Sequence, residues 1–378
     1  MNEELPIIQQ LRLINFKCFD DQTIRFGKLT FLSGLNGMGK STVLQSLLLL
    51  RQSYEQEFLP NKGLVLNGEL IRLGTARDVL FEGATDEEHL GFEIELSDES
   101  YAGWRFDYER QTDVLSLISE PVDINLFHTK LFSDEFQYIE AERTGPRRSF
   151  EMSNYKVQEH HQLGSKGEYS PYFLSVFGEE KIANENVAHP QAASLKIKDQ
   201  LEGWMQEIRS GTRIHFHEYP GMDLLSLNFS FFHENLVSSE FRSTNVGFGI
   251  TYTLPVILAL ISAKEGSLIL LENPEAHLHP RGQAKLGELI ALASSGGVQV
   301  VVETHSDHVL NGIRVAAYEN KISPKDIVLH FFENAAKDDE ILIDIVSPQI
   351  DHNGRIDRWP TGFFDVWDDY LEKLLTPR

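Results

Sequence analysis

The run Gly34-Leu35-Asn36-Gly37-Met38-Gly39-Lys40-Ser41 constrains this chain more than any other feature, because it fits the pattern G-x-x-x-x-G-K-[ST] between a strand and a helix. Residues 28–33 (KLTFLS) read as a buried strand, and 42–50 (TVLQSLLLL) continue as an apolar helix. Backbone N–H groups of such a turn and the helix N-terminus converge on one anion site. Glycines let the chain curl around a β-phosphate, the Lys40 ammonium reaches β- and γ-phosphates, and the Ser41 hydroxyl is placed to ligate Mg2+. Asn36, Gly37, Met38, Gly39, Lys40, Ser41 and Thr42 are therefore candidate nucleotide-binding residues.

A length of 378 residues suffices for a full core and a second lobe. The single cysteine, Cys18, excludes an intrachain disulfide or a cysteine-rich zinc cluster and suits a reducing compartment, so a cytoplasmic location is expected. No segment reads as a signal peptide or approaches the ~20 apolar residues of a membrane span, so no membrane role is expected. Lys and Arg number 34 against 57 Asp and Glu, a net charge of -23 that opposes unaided binding to DNA. Arg143, Arg147 and Arg148 are the best candidates for a local basic patch, and structural arginines in a solvated loop are the plainer reading.

Residues 7–34 alternate apolar and polar, predicting strands that feed the glycine-rich loop and open an α/β core. Residues 89–120 (HLGFEIELS, YAGWRFDYER, DVLSLISE) predict a three-stranded antiparallel meander, a small lobe of its own. Residues 150–193 are polar and read as loop or short helices, 194–208 have helical spacing, and RIHFHEY and LLSLNFSFF alternate as strands. The last third predicts a helix over 252–264, a strand over 267–271, a helix over 280–294 and a strand over 298–302. Two further strands (DIVLHFFEN, EILIDIVSP) and an amphipathic helix over 363–375 close the chain. The fold class is α/β, a mostly parallel sheet flanked by helices, with an antiparallel β-lobe and a helical insertion. Four segments result: 1–88, the N-terminal part of the core; 89–145, the antiparallel lobe; 146–240, the insertion; and 241–378, the C-terminal part of the core.

The apolar run 268–271 ends in Glu272-Asn273-Pro274-Glu275, the layout of a Walker B strand, which makes Glu272 the candidate metal-side carboxylate alongside Ser41. The run 298–302 ends in Glu303-Thr304-His305-Ser306 and places an imidazole at the carboxyl edge of the sheet, where ligands of open α/β folds gather. Upstream, Gly247 and Gly249 open a helix, and two glycines at a helix start suit phosphate contact.

These segments occur in the order of the ABC-type ATPase head. The chain resembles the soluble branch of that superfamily, with RecF, SMC-type heads and OLD-like proteins, and within it the bacterial AAA-type ATPases that carry a DUF3696-like C-terminus. INFKCF at 14–19, VGFG at 246–249, ENPEAHLHP at 272–280 and WPTGFFD at 359–365 carry the resemblance, with 150–235 the least covered. It implies a P-loop ATPase with ATP and Mg2+ as cofactors, and a head-to-tail homodimer, or a higher even oligomer, that forms on ATP. By position, Gly247 and Gly249 would face the γ-phosphate held by the second copy, 276–280 would be the D-loop, His305 the switch that senses the γ-phosphate, and Lys17 would approach the nucleotide. Similarity to stand-alone heads of anti-phage systems, including Septu-type ATPases, implies a sensor that controls a separate effector such as an HNH-type nuclease. The alternative is a RecF- or SMC-like DNA-binding ATPase in repair or maintenance, which the net charge and the lack of a long heptad run disfavour.

Three departures from the family pattern matter. Glu272 stands where transport-type members have Asp, and its longer arm still reaches Mg2+ directly or through water. Asn273 occupies the position of the glutamate that polarises the attacking water; an amide orients water but has no basicity near neutral pH, so hydrolysis is expected to be slow. Glu275 or Glu303 are the candidates to take over that role. Gly247 stands at the signature serine and removes a hydroxyl donor.

Smaller signals have plainer readings. His277 and His279 fall in the D-loop rather than in a metal pair, His215 and His217 share one face of a strand as a packed or rim pair, and His160-His161 has no recognisable partner. Trp359, Phe363, Phe364 and Trp367 anchor a terminal helix or form a docking surface. The glutamine that joins the two lobes in such heads is Gln45, Gln52 or Gln137.

Overall fold

The alternation in IQQLRLINF becomes the strand Ile8–Phe16 in a computed structural model that describes residues 6–84, 89–234, 236–337, 340–360 and 366–375. The chain divides into two units, Met1–Ser133 with Ile327–Arg378, and Asp134–Asp326.

In the first unit Ile8–Phe16 is central to an antiparallel sheet, with Phe19–Arg25 on one side and Leu90–Leu96, then Tyr101–Phe106, on the other. Period-2 alternation puts Leu11, Leu13, Ile24, Phe92, Trp104 and Phe106 on a fully buried face, where Phe16 and Phe92 meet edge-to-face at 5.0 Å. The expected three-stranded meander is therefore only two strands long. Val114–Ser116 pairs instead with Gly63–Val65, and the pair Leu90–Leu96 and Tyr101–Phe106 completes a sheet with the N-terminal strands. The reason is burial: the apolar face of Leu90–Leu96 is covered only by sharing the core under Ile8–Phe16.

The strand leading into the glycine-rich loop is Leu29–Gly34, buried on both faces and parallel to Ile327–Lys337, which pairs antiparallel with Glu340–Val346. The loop helix Lys40–Glu55 is buried almost all round, so its polar residues have structural partners. Arg51 Nη1 donates to Leu131 O (3.1 Å) and Ser133 O (2.7 Å), and Gln52 Nε2 donates to Val65 O (2.8 Å). The terminal helix is Val366–Leu375; Phe363 and Phe364 lie outside the described residues, and Trp359 is about half exposed.

In the second unit Phe136–Ile139, Leu268–Glu272 and Gln299–Glu303 form a parallel run with Leu268–Glu272 in the middle. Continuous apolar sequence without alternation is what strands covered on both faces require. The helix Phe248–Ser262, apolar throughout its length, packs on this run, and Pro280–Ser295 crosses over from the acid-ended strand to Gln299–Glu303. Pro280–Ser295 and Asp307–Tyr318 approach closely at two glycines. A Cβ on Gly287 would lie 2.1 Å from Val309 O, and one on Gly312 would lie 2.0 Å from Ala284 O. A second sheet is built on the hairpin Thr212–Tyr219 and Leu224–His233, with Phe150–Glu151 and Phe241–Arg242 at its margins. The polar stretch 150–193 contains one α-helix, Ser170–Phe177, which begins with Pro171 in its first turn.

Both units therefore combine parallel strands with covering helices and carry an antiparallel sheet besides, a mixed α/β fold of the expected class. Gly312→Ala is expected to destabilise the protein by about 1–3 kcal/mol through overpacking against backbone, read by urea unfolding. Gly221→Ala, with nothing within 4 Å of the added Cβ, should shift the same curve by less than about 0.5 kcal/mol.

Candidate functional site

The glycine-rich loop depends on backbone that L side chains rarely adopt: φ is 138° at Gly34, 79° at Gly37 and 87° at Gly39. Gly34 also passes so close to the neighbouring strand that a Cβ would lie 2.2 Å from Phe332 O, whereas a Cβ on Gly37 would meet nothing within 4 Å. Gly37 is needed for its backbone sign alone, at the exposed tip with Leu35 and Asn36. Gly39 caps the helix in the left-handed region without a side-chain hydrogen bond, and the helix start it opens carries the positive end of the helix dipole, which suits an anion.

Lys40 is buried, and its Nζ donates to Leu35 O (2.6 Å) and Gly34 O (3.1 Å), curling the loop over its own cation. The hairpin loop after Phe16 packs beneath: a Cβ on Gly39 would lie 2.6 Å from the Phe19 ring and 2.7 Å from Cys18 Sγ. Lys17, at φ 55°, donates from Nζ to Gln45 Oε1 (2.6 Å), and burial lowers its pKa. The other two candidate glutamines are bound elsewhere, Gln52 at Val65 and Ile71, and Gln137 Nε2 at His161 O (2.7 Å).

In the second unit the carboxyl ends of two parallel strands bring Glu272 and Glu303 into register, followed by Asn273, Glu275 and His305. Glu272 Oε1 accepts the Tyr138 hydroxyl (2.9 Å) and Oε2 accepts Ala141 N–H (3.3 Å); burial nonetheless pushes its pKa up. Asn273 turns the chain at φ 41°, a region that Asn tolerates better than most residues, and its N–H donates to Glu303 O (2.8 Å). Glu275 Oε1 accepts His305 N–H (3.2 Å). Asn273 Oδ1 and Glu275 Oε2 are buried without a hydrogen-bond partner among the described residues. Buried oxygens of this kind call for a donor or a cation, and a carboxylate with an aliphatic hydroxyl is the hard-oxygen set that suits hydrated Mg2+. The chemistry of the Glu272 carboxylate suits that ion in the second unit, and that of the Ser41 hydroxyl suits it in the first. When bound, it supplies positive charge to phosphate oxygens.

The residue that shapes this edge is Arg143. Its guanidinium is buried, donating from Nε to Tyr252 O (3.0 Å), from Nη1 to Glu272 O (2.9 Å) and Glu140 O (3.2 Å), and from Nη2 to Asn273 O (3.0 Å). The guanidinium also stacks on the Tyr252 ring at 4.4 Å, and burial pushes its pKa down to about 10. As a sequence, EAERTGPRR offers Arg143 only as a loop arginine; a clue to its role is the Glu-Arg-Thr-Gly-Pro turn directly after a short buried strand.

Gly247 is the N-cap of the helix Phe248–Ser262, without a side-chain cap, and a Cβ there would meet nothing within 4 Å. Gly249 differs, since a Cβ would lie 2.6 Å from His277 O. The His277 ring, on backbone at φ 65°, lies against Phe248 (4.6 Å) and Tyr252 (4.9 Å). The loop after Glu272 and the glycine-bearing helix are thus locked together. His215 and His217 both face Glu240 (3.8 and 3.1 Å), and His160 pairs with Asp134 at 2.9 Å. Among the described residues no group of three His, Cys, Asp or Glu is arranged to hold a metal ion, and no helix is long and apolar enough to cross a membrane.

A family model described as AAA domain, putative AbiEii toxin, Type IV TA system matches residues 29–311, and one for a protein of unknown function, DUF3696, matches 322–374. No curated protein matches the chain. Among solved structures, an SMC head bound to the C-terminal winged-helix domain of ScpA is similar at TM-score 0.55 and 15% identity, over 90% of this chain and 97% of that one. The SMC head with an extended coiled coil from Pyrococcus furiosus, bound to the C-terminal domain of ScpA, is similar at TM-score 0.51 and 12% identity, over 98% and 100%. At such identities the likeness shows the fold, that of an SMC-type ATPase head.

Two outcomes follow from the geometry. Burial raises the folded-state pKa of Glu272 above its unfolded value, so the ionised carboxylate weakens the fold at neutral pH, and that penalty fades as pH falls through the raised pKa and is gone below the unfolded carboxyl range. Glu272→Gln, whose amide can accept from Ala141 and donate to Tyr138, should unfold at higher temperature than wild type at pH 7 and show a much smaller difference near pH 4, in scanning calorimetry. Arg143→Lys keeps the charge but loses the planar fork, and is expected to cost about 3 kcal/mol in chemical unfolding.

Proposed function

The chain belongs to the AAA-domain family described as putative AbiEii toxin, Type IV TA system, and on that premise we propose that it is an ATP-operated switch that pairs with a second copy around ATP, hydrolyses it slowly and controls a separate effector. In this reading the glycine-rich loop 34–41 with Lys40 holds the phosphates, Lys17 approaches the same nucleotide, and Ser41 and Glu272 hold Mg2+. His305 reads the γ-phosphate.

One observation carries the slow step. At the position where these ATPases place a water-polarising carboxylate stands Asn273, held at φ 41° by its own N–H on Glu303 O and by Arg143 on its carbonyl. Hydrolysis needs a water oxygen to bond to the γ-phosphorus as the bond to the β–γ bridging oxygen breaks, with the water proton passing to a base. The Asn273 amide orients that water but cannot accept the proton. Glu275 and Glu303 are the carboxylates on the same edge, and either takes the proton less directly.

Pairing is supported by Gly247. Its uncapped helix start, open to any approaching group, presents N–H groups suited to the γ-phosphate held by a second copy. Gly249 supports the same contact by keeping that helix seated on the His277 loop. The setting we favour is bacterial anti-phage defence, with an effector such as an HNH-type nuclease, on the resemblance to stand-alone defence ATPases. A net charge of -23 weighs against the alternative of a DNA-gripping head.

The test combines ATP affinity, oligomeric state by light scattering, and turnover. Wild type should bind ATP, become dimeric with it, and turn over below about 0.1 s⁻¹, beneath the common range of kcat. Lys40→Ala should lose at least about tenfold in ATP affinity, and Asn273→Glu should raise kcat by about tenfold or more. Fast wild-type turnover that Asn273→Glu slows would overturn the role given to Asn273. A monomer at saturating ATP would overturn the pairing.

A further inference from the structure

Two loops of the second unit follow the acid-ended strands, 273–280 after Leu268–Glu272 and 303–306 at the end of Gln299–Glu303. Asn273 N–H on Glu303 O (2.8 Å) and His305 N–H on Glu275 Oε1 (3.2 Å) tie them near the strand ends. A third tie runs through a residue outside both loops. Gln283, half-buried near the start of the helix Pro280–Ser295, donates from Nε2 to Leu278 O (2.8 Å) and accepts the Ser306 hydroxyl at Oε1 (2.6 Å).

The chemistry of this link fixes its direction. An amide has one donor end and one acceptor end, so with the NH2 group on Leu278 O the amide oxygen faces Ser306, whose hydroxyl has one proton to give it. The Ser306 oxygen in turn accepts Val309 N–H (3.1 Å) as the N-cap of the helix Asp307–Tyr318, and Ser306 N–H donates to Thr304 Oγ1 (3.0 Å). Ser306 is buried and directly follows His305, so these bonds also set where His305 stands. At the other end Leu278 follows His277, whose carbonyl backs onto Gly249 so closely that a Cβ there would lie 2.6 Å away. A continuous path through His277, Leu278, Gln283 and Ser306 thus joins the helix start at Gly247 and Gly249 to His305.

We infer that Gln283 is a positioning residue that couples pairing to the reading of the γ-phosphate. It touches no phosphate in this role. It holds Leu278 and Ser306 at one separation, so a helix start pressed by a second copy and an imidazole drawn to a γ-phosphate take their places together. This role rests on the pairing and on the part given to His305 above, and adds the residue through which the two act on each other. By linkage the coupling works both ways: whatever pairing gains from the γ-phosphate, γ-phosphate binding gains from pairing. An apolar side chain at 283 cuts the path at both ends and leaves the nucleotide loop of the first unit as it is.

Dimer dissociation constants of the full chain, measured by light scattering with saturating ATP and with saturating ADP, test the link. Wild type should pair at least about tenfold more tightly with ATP than with ADP. Gln283→Met, an unbranched side chain of similar length, should bind ATP as a monomer with unchanged affinity yet lose that preference by about tenfold. Gln283→Glu keeps an acceptor for Ser306 but sets a carboxylate oxygen against Leu278 O; it should lose the preference too, and keeps the proposal testable if the first variant fails to fold. His305→Ala should remove the same preference, and its combination with Gln283→Met should remove no more, because residues on one path are not additive. A lowered unfolding midpoint with the ATP preference intact makes Gln283 a brace and overturns the coupling, as do losses that multiply in the double variant. A wild type that stays monomeric, or pairs equally with either nucleotide, overturns the γ-phosphate-driven pairing and the coupling together. A wild type that prefers ATP while both Gln283 variants do the same overturns the coupling alone.

Discussion

One buried guanidinium holds the acid-bearing edge of the second unit in shape. Where the strand Leu268–Glu272 ends, the chain turns sharply and two carbonyls, those of Glu272 and Asn273, lose the ladder that would have satisfied them. Arg143 satisfies both, and with the same fork reaches Tyr252 O on the glycine-bearing helix and Glu140 O on its own segment. Only a planar cation with fixed donors meets four carbonyls at once. Carbonyl dipoles, and the ring of Tyr252, offset much of the desolvation a buried charge incurs. At a pKa of about 10 the group stays protonated at neutral pH.

From this tie the rest of the edge follows. With the turn fixed, the Glu272 carboxylate is aimed between Tyr138 and Ala141, Asn273 is kept in left-handed backbone, and Glu275 reaches the N–H of His305. The helix start at Gly247 belongs to the same body, because Gly249 lets it press on His277 O and Tyr252 carries both the Arg143 stack and the His277 contact. Orphaned oxygens on Asn273 and Glu275 and the raised pKa of Glu272 show an edge held in a state that is unfavourable by itself. Such strain is expected where a structure is organised for a ligand rather than for stability.

Much of this was legible before any coordinates. Continuous apolar runs announced the strands Leu29–Gly34, Leu268–Glu272 and Gln299–Glu303 to within a residue or two, and glycine spacing announced the loop, because both signals are local. Long-range pairing was not legible. Nothing in HLGFEIELS says that it adds to a sheet begun some eighty residues earlier, and the short strand Val114–Ser116 is equally content beside either neighbour until Gly63–Val65 is placed. Among the site residues, motif positions could be named, but the burial of Arg143 could not, since an arginine in a glycine-proline turn reads as solvated. The link through Gln283 was invisible for the same reason: it exists only where the start of one helix meets the loop before another.

The left-handed backbone at Asn273 also limits how this ATPase can diverge. A position at φ 41° is a sieve for side chains, passing Asn, Asp and Gly readily and resisting longer or branched residues. A glutamate there carries a backbone cost of about 1–2 kcal/mol that asparagine largely avoids, set against whatever its carboxylate adds at the same edge. The side chain that this edge can carry directly after Glu272 is thereby tied to a torsion angle.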